Sequence, residues 1–401
     1  MRLQILLSMN NSKFNKAYYI DSYSKGNLHE MFDASSLLVF SKMFDSIEYR
    51  ADKSSKKSVE ILLNELPLNI KYKPIFVFND GSVYSRFIKQ ILATIINCYF
   101  IIRSCISDIV IINYNTMLSV YPINLITKIL KRNVLVICHG EMYDLKYQRQ
   151  TSFLFRKSKT LFSKRKTVLA EGLYFAVLGD FVLENLKDVV SPQVYRKIIS
   201  IDHTFVPQKV KKQNTANEKI KIGVIGSLRK SKGLDDLLIV VKETLQIKNN
   251  IEFVVIGSFD FEASNLKKLG FTIPDNIDGS FLSREKMMQL ISSIDFALFL
   301  LPKDIYQFTA SGSFFDAIDC EVPVIALKND FFEYYYNKYG KFGYLFNSVH
   351  DIIEALSHQN CRNDNFDFTA IKENLMIEKI ADKLLNSNEC LFNQKKSKGN
   401  H

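Results

Sequence analysis

The chain has 401 residues, 47% of them hydrophobic and 24% charged. That length exceeds what one core organises, so at least two domains are expected, and the composition excludes disordered, collagen-like and disulfide-scaffold classes. Lys and Arg number 53 against 42 Asp and Glu, a net +11 that favours an anionic partner: nucleic acid, an acidic membrane surface or a phosphorylated substrate.

In chain order, MRLQILLSMNNSKF carries too short an apolar run for a signal peptide. QILLSM, PIFVFND, DIVIINY, NVLVICHG, LYFAVLG and KIISID then read as buried strands, several of them the continuous apolar runs of a parallel sheet, with helical stretches such as 121–131 between them. The longest apolar stretch, Ile91 to Ile102, is interrupted by Asn97 and stops at Arg103, short of the roughly 20 residues a spanning helix needs. The six cysteines are scattered, with no C-x-x-C pair, so a disulfide scaffold and a zinc ribbon are set aside and a cytoplasmic setting is expected.

After ISIDHTF the lysine-rich VPQKVKKQNTANEK loses all apolar periodicity and marks the domain boundary. A second alternation follows: IKIGVIG, a helix with Leu234, Leu237, Leu238, Val241 and Leu245 on one face, IEFVVIG, a helix bearing Met287, Leu290, Ile291 and Ile294, FALFLL, VPVIAL and GYLF. The expected organisation is a first domain over 1–205, a linker over 206–218, a second domain over 219–375, and a terminal helix with basic tail over 376–401 that can return to the first domain. The fold class is α/β, with two doubly wound, Rossmann-like sheets whose strands end in carboxyl-side crevices and face one cleft.

Three places carry chemistry. In IGSLRKSKG (225–233), Gly226 permits a tight turn after a strand, a helix start lies beyond, and Arg229, Lys230 and Lys232 add cations. This suits a diphosphate; the plain alternative is a solvated basic turn. The segment is neither a P-loop nor a G-x-G-x-x-G fingerprint. Ser311, Gly312 and Ser313 precede a short helix whose amides and hydroxyls suit phosphate oxygens, and Asp316 sits one turn inside, placed for a ribose diol; the alternative is a serine helix cap. CHGEM puts His139 and Glu141 at the end of the NVLVI strand, as catalytic candidates or as structural hydrogen-bonders. His203 reads as a hinge residue.

The series GSLRKSKG, EFVVIGS, GSFLSREKMMQLISSIDFALFL and SGSFFDAIDCEVPVIAL resembles the C-terminal half of nucleotide-sugar glycosyltransferases of the GT-B fold. The likeness is to the large retaining group that builds bacterial polysaccharides and lipopolysaccharides, and it covers about residues 218 to 350. The resemblance implies transfer of a sugar from a nucleotide-diphosphate donor, acting as co-substrate with no cofactor and no metal, to a glycan or lipid-linked hydroxyl. It places Gly226, Ser227, Arg229, Lys232, Ser311, Gly312 and Ser313 on the diphosphate, Asp316 on the ribose, and Phe281, Leu282 and Ser283 at the nucleobase. The family motif G-R-L-x-x-x-K-G has Ser227 at its Arg position here, with Lys232 kept and Arg229 as a substitute. The first carboxylate of the family's Glu-x7-Glu pair falls on Phe308, which removes the usual sugar contact. That departure leaves room for an epimerase or a non-catalytic nucleotide-sugar binder of the same fold.

From Lys146 to Ala170 the chain carries eight basic residues and no acid, with Phe153, Leu154, Phe155, Leu161 and Phe162 interleaved. Residues 146–166 are therefore expected to dock on an anionic membrane surface at the inner face of the cell membrane, or else to form a solvated helix with its aromatics inward. No nucleic-acid module accompanies the segment, and nucleic acid is set aside as partner.

Overall fold

The computed structural model describes residues 14–64, 66–79, 81–147, 152–163, 168–204, 206, 219–248, 250–259, 262–274, 282–358, 365–387 and 389–392. The chain divides into two compact units, one of residues 1–206 with 375–401 and the other of 207–374.

The first unit is built on seven strands: β1 (Lys16–Ile20), β2 (Ile47–Ala51), β3 (Ile70–Pro74), β4 (Asp108–Ile112), β5 (Asn133–Cys138), β6 (Leu173–Val177) and β7 (Ile198–Ser200). They pair in parallel in the order β3-β2-β1-β4-β5-β6-β7, so the winding direction reverses between β1 and β4. A central parallel strand is buried on both faces, as the all-buried DIVII of β4 is, while the edge strand β3 stays partly exposed.

Three sequence expectations change here. PIFVFND is not a strand: pairing ends at Pro74, and the strand is the preceding IKYKP. β1 and β2 went unread because KAYYI and IEYRA carry charge, which the fold neutralises across the ladder. Lys16 reaches Glu48 at 2.8 Å, and Arg50 pairs with the same carboxylate. The Ile91–Ile102 run belongs to a 21-residue helix, Val83–Arg103, opened by a capping box at Ser82; by length and composition it is the one helix among the described residues able to cross a membrane. QILLSM lies outside the described residues.

The second unit has β8 (Ile220–Ile225), β9 (Ile251–Ile256), β10 (Phe271–Thr272), β11 (Phe296–Phe299), β12 (Val324–Leu327) and β13 (Gly343–Phe346), parallel in the order β10-β9-β8-β11-β12-β13. Its core joins Ile222 and Val224 of β8, Phe253 and Val255 of β9, and Leu237 and Val241 of the helix Leu234–Ile247. This is the helical face read from the 3.6 period.

The end of the chain is tied into the first unit. Thr204 donates to the Leu375 carbonyl at 2.6 Å, and Lys383, on the helix Ile377–Ser387, meets Asp202 at 2.8 Å and Asp180 at 2.9 Å.

Candidate functional site

In the first unit, neighbouring strands end on a cluster of polar and aromatic side chains. β4 delivers Asn113 and β5 delivers His139, each one residue past its strand, and His139 Nε2 lies 3.2 Å from Asn113 Oδ1. The Asn113 amide nitrogen donates to Asp33 Oδ1, while Tyr49 donates to Asp33 Oδ2 at 2.7 Å. Burial, reinforced by nearby Asp21, pushes the Asp33 carboxyl well above the usual range. Rings pack the other sides of His139: Phe32 edge-on at 4.6 Å and His29 at 4.7 Å between centroids. His29 is held in the left-handed region at φ 64°. Burial, with the neighbouring His29 and His203 as lesser causes, holds His139 well below the ordinary imidazole range, so its ring is neutral.

A cavity of about 360 Å³ opens beside this cluster, lined among others by His29, Tyr114, Asn115, His139, Glu141 and Asp144. Glu141 is half-buried. Its Oε2 accepts from the Gly140 N–H at 3.1 Å, and its Oε1 is out of water with no hydrogen-bonding partner among the described residues. Burial pushes this carboxyl up to about 7, with backbone hydrogen bonds pulling the other way. A carboxyl of that pKa exchanges protons near neutrality, as a general acid or base must. His139 and Glu141 thus share one cavity. His29, Asn113 and Asp33 were missed: nothing local in the sequence marks a loop His 110 positions before its partner, or an Asp inside a helix.

In the second unit the IGSLRKSKG segment makes a crowded turn. Gly226 follows β8 at φ 102°, and a Cβ there would lie 2.7 Å from Ser313 Oγ and 3.3 Å from Lys232 Nζ. The two motifs taken separately from the sequence therefore converge over one glycine. Gly233, at φ 79°, has no room for a side chain, since its Cβ would fall 1.9 Å from the Leu300 carbonyl oxygen. That contact requires the glycine that follows Lys232. Lys232 is half-buried, and burial together with the nearby Arg229 lowers its pKa; no carboxylate pairs with it among the described residues. A cation so placed is chemically able to receive an anion. Ser227 and Arg229 flank it, Arg229 exposed.

Ser311 begins the helix Gly312–Asp319 but makes no side-chain cap, so the serine-cap alternative does not hold. Asp316 sits in that helix and accepts from Arg284 Nη1 at 2.7 Å. Arg284 makes only that one contact with Asp316; its Nε and Nη2 are buried and unpartnered among the described residues. Ser283 caps the helix Arg284–Ser292 by accepting from the Lys286 N–H at 3.3 Å, and Leu282 packs against the core; Phe281 lies outside the described residues. Phe308 is fully buried, so no carboxylate stands at that position.

Of the basic segment 146–166, Phe155, Leu161 and Phe162 face the core, as the inward alternative has it and against their use in docking, whereas Phe153, Leu154, Arg156 and Lys157 lie at the surface. Residues 148–151 and 164–167, with Arg149, Lys164, Arg165 and Lys166, lie outside the described residues.

No family model and no curated protein sequence matches the chain. Solved structures do. A point variant of S. aureus TarM, in complex with fondaparinux, alpha-GlcNAc-glycerol and UDP, matches with a TM-score of 0.62 at 11% identity over 93% of this chain and 99% of that one. The fold is GT-B. The lipopolysaccharide outer core galactosyltransferase WaaB matches this GT-B chain with a TM-score of 0.55 at 12% identity, covering 93% and 98%. Arabidopsis thaliana UGT89C1 complexed with quercetin gives 0.51 at 10% identity, covering 93% and 98%. The GT-B fold is thus common to proteins that share about one residue in nine with this chain.

Proposed function

We propose that the protein transfers a glycosyl group from a nucleoside-diphosphate sugar to a hydroxyl of a glycan or lipid-linked acceptor in the building of a bacterial surface polysaccharide, at the cytoplasmic face of the membrane. The observation that carries this reading is the convergence of Lys232 Nζ and Ser313 Oγ over Gly226 at the end of β8, with no acid pairing Lys232 among the described residues. Support also comes from the GT-B neighbours, one of which holds UDP and another of which is named a galactosyltransferase.

In this reading the bond between the sugar's anomeric carbon and the diphosphate oxygen breaks, and its electron pair leaves with the nucleoside diphosphate. Lys232, Arg229, the hydroxyls of Ser311 and Ser313 and the amides near Gly312 stabilise that charge, so the chain's own cations do the work and no metal is invoked. Asp316 receives the ribose diol on the carboxylate oxygen that Arg284 leaves open, and backbone groups of Leu282 and Ser283 meet the base. The acceptor oxygen forms the new bond to the anomeric carbon and gives its proton to Glu141. Neutral His139 orients the acceptor.

The test is thermal unfolding and product analysis against a panel of nucleotide sugars with UDP and GDP as controls. A raised Tm with one nucleotide, and release of that nucleotide on adding acceptor, is expected. If no member of the panel shifts Tm, the donor assignment fails.

A further inference from the structure

An exposed apolar surface runs along neighbouring helices of the first unit. Along the helix Val83–Arg103 the exposed residues are Tyr84, Arg86, Phe87, Ile91, Ile95, Tyr99, Ile102 and Arg103, a stripe at the i, i+3, i+4 spacing of one helix face, with Tyr84 76% and Ile95 58% exposed. The helix Val120–Leu130 packs beside it and adds exposed Leu125, Lys128 and Ile129, the last 67% exposed. A hydrogen bond of 2.7 Å between Thr94 and Ser119 fastens the pair. Against the second helix packs a third, Phe153–Ser163, held by the Tyr121 N–H donating to Ser158 Oγ at 3.0 Å, and it exposes Phe153, Leu154, Arg156 and Lys157. None of the three helices contains an Asp or Glu.

We infer that this three-helix face lies on an anionic lipid bilayer, with the Val83–Arg103 helix in the plane of the interface and Ile95, Ile102 and Ile129 among the acyl chains.

Charge and burial choose this occupant over the others. A second copy meeting the face about a two-fold axis would set cation against cation, with no acid on these helices to compensate. Phosphate headgroups are complementary to Arg86, Arg103, Lys128, Arg156 and Lys157, and the exposed Tyr84, Phe87, Tyr99 and Phe153 suit the headgroup boundary. The aliphatic Ile91, Ile95, Ile102, Leu125 and Ile129 between them suit acyl chains, whereas nucleic acid would leave these aliphatic side chains without a partner. The helix is long enough to span, yet its opposite face carries Lys89 at 3% and Asn97 at 1% exposure inside the unit, so spanning would drag both into hydrocarbon. An amphipathic helix with cations among its apolar residues rests in the interface instead. The surface is wider than the basic segment 146–166 and centres on residues to which charge alone gives no weight. It is independent of the transfer reaction.

The experiment is co-sedimentation of the full chain with phosphatidylglycerol-rich vesicles and with phosphatidylcholine vesicles, comparing wild type with Ile95→Glu/Ile102→Glu and with Arg103→Glu/Lys128→Glu. Wild type is expected to bind the anionic vesicles, and each double variant to bind about tenfold or more weakly while keeping its Tm. Solubility of wild type with anionic vesicles, or undiminished binding by the Ile95→Glu/Ile102→Glu variant, would overturn the inference. So would a concentration-dependent dimer that the same substitutions dissociate, because a second copy would then cover the face. Thermal shift with the nucleotide panel is read in parallel; its failure counts against the transferase reading and leaves the vesicle result to be judged by itself.

Discussion

Asn113 and His139 end adjacent parallel strands with the amide oxygen of one 3.2 Å from Nε2 of the other. Because the Asn113 amide nitrogen is engaged by Asp33, its oxygen faces the ring, and His139 must carry its proton on Nε2. Nδ1 is then an acceptor. The expected outcome is a neutral Nε2–H tautomer for His139 at pH 7, read from ring nitrogen chemical shifts, and its loss in Asn113→Ala. That variant leaves a buried N–H without its partner and is expected to lose about 1–3 kcal/mol of stability. An unchanged tautomer in the variant would refute the orientation.

Glu141 makes opposite predictions for activity and stability. With its carboxyl raised to about 7, transfer should increase with pH through that value as the base ionises, and Glu141→Gln should remove that limb and slow transfer about 10²-fold or more. A carboxyl whose folded pKa lies above its unfolded value favours the fold while protonated, and this contribution is lost as pH rises through about 7. Glu141→Gln is therefore expected to raise stability at pH 8 by about 1–2 kcal/mol, allowing for a half-exposed side chain, and to change it little at pH 5. Chemical denaturation at the two pH values checks the sign.

Lys232→Met should separate binding from stability in the same way. Removing the cation is expected to weaken nucleoside diphosphate binding by about 1.5–3 kcal/mol, the scale of a hydrogen bond to a charged group. Tm without ligand should hold or rise, since a desolvated charge is relieved. Titration calorimetry alongside thermal unfolding measures both, and unchanged affinity would remove the phosphate assignment.

The second unit was more legible than the first, and the reason lies in its strands. IKIGVI, IEFVVI and VIAL sit in both-sided burial and announce themselves as apolar runs. KAYYI and IEYRA are largely buried too, but Lys16 meets Glu48 across the ladder, beside Arg50 on the same strand as Glu48, and that cross-strand pairing is one no local pattern contains. The same distinction divides the sites. Gly226 and Lys232 are neighbours in sequence and could be read together, and the turn chemistry also marked Ser313. Arg284, 32 positions before Asp316, and Asp33, 80 before Asn113, become partners only through sheet order.

Lys383 is shared by Asp180 and by Asp202, the latter almost fully buried. Lys383→Met should cost about 2 kcal/mol or more, by leaving two carboxylates near each other without their cation. A Tm unaffected at pH 7 would show the tie to be idle.

That tie also sets an order of events during synthesis. Residues 207–374 are complete in sequence before the helix carrying Lys383 leaves the ribosome, so the second unit can close while the first still lacks its last element. Until then Asp180, Asp202 and the Thr204 hydroxyl await partners near the far end of the chain. Premature termination after residue 374 would thus spare the unit translated later and strand the one translated first.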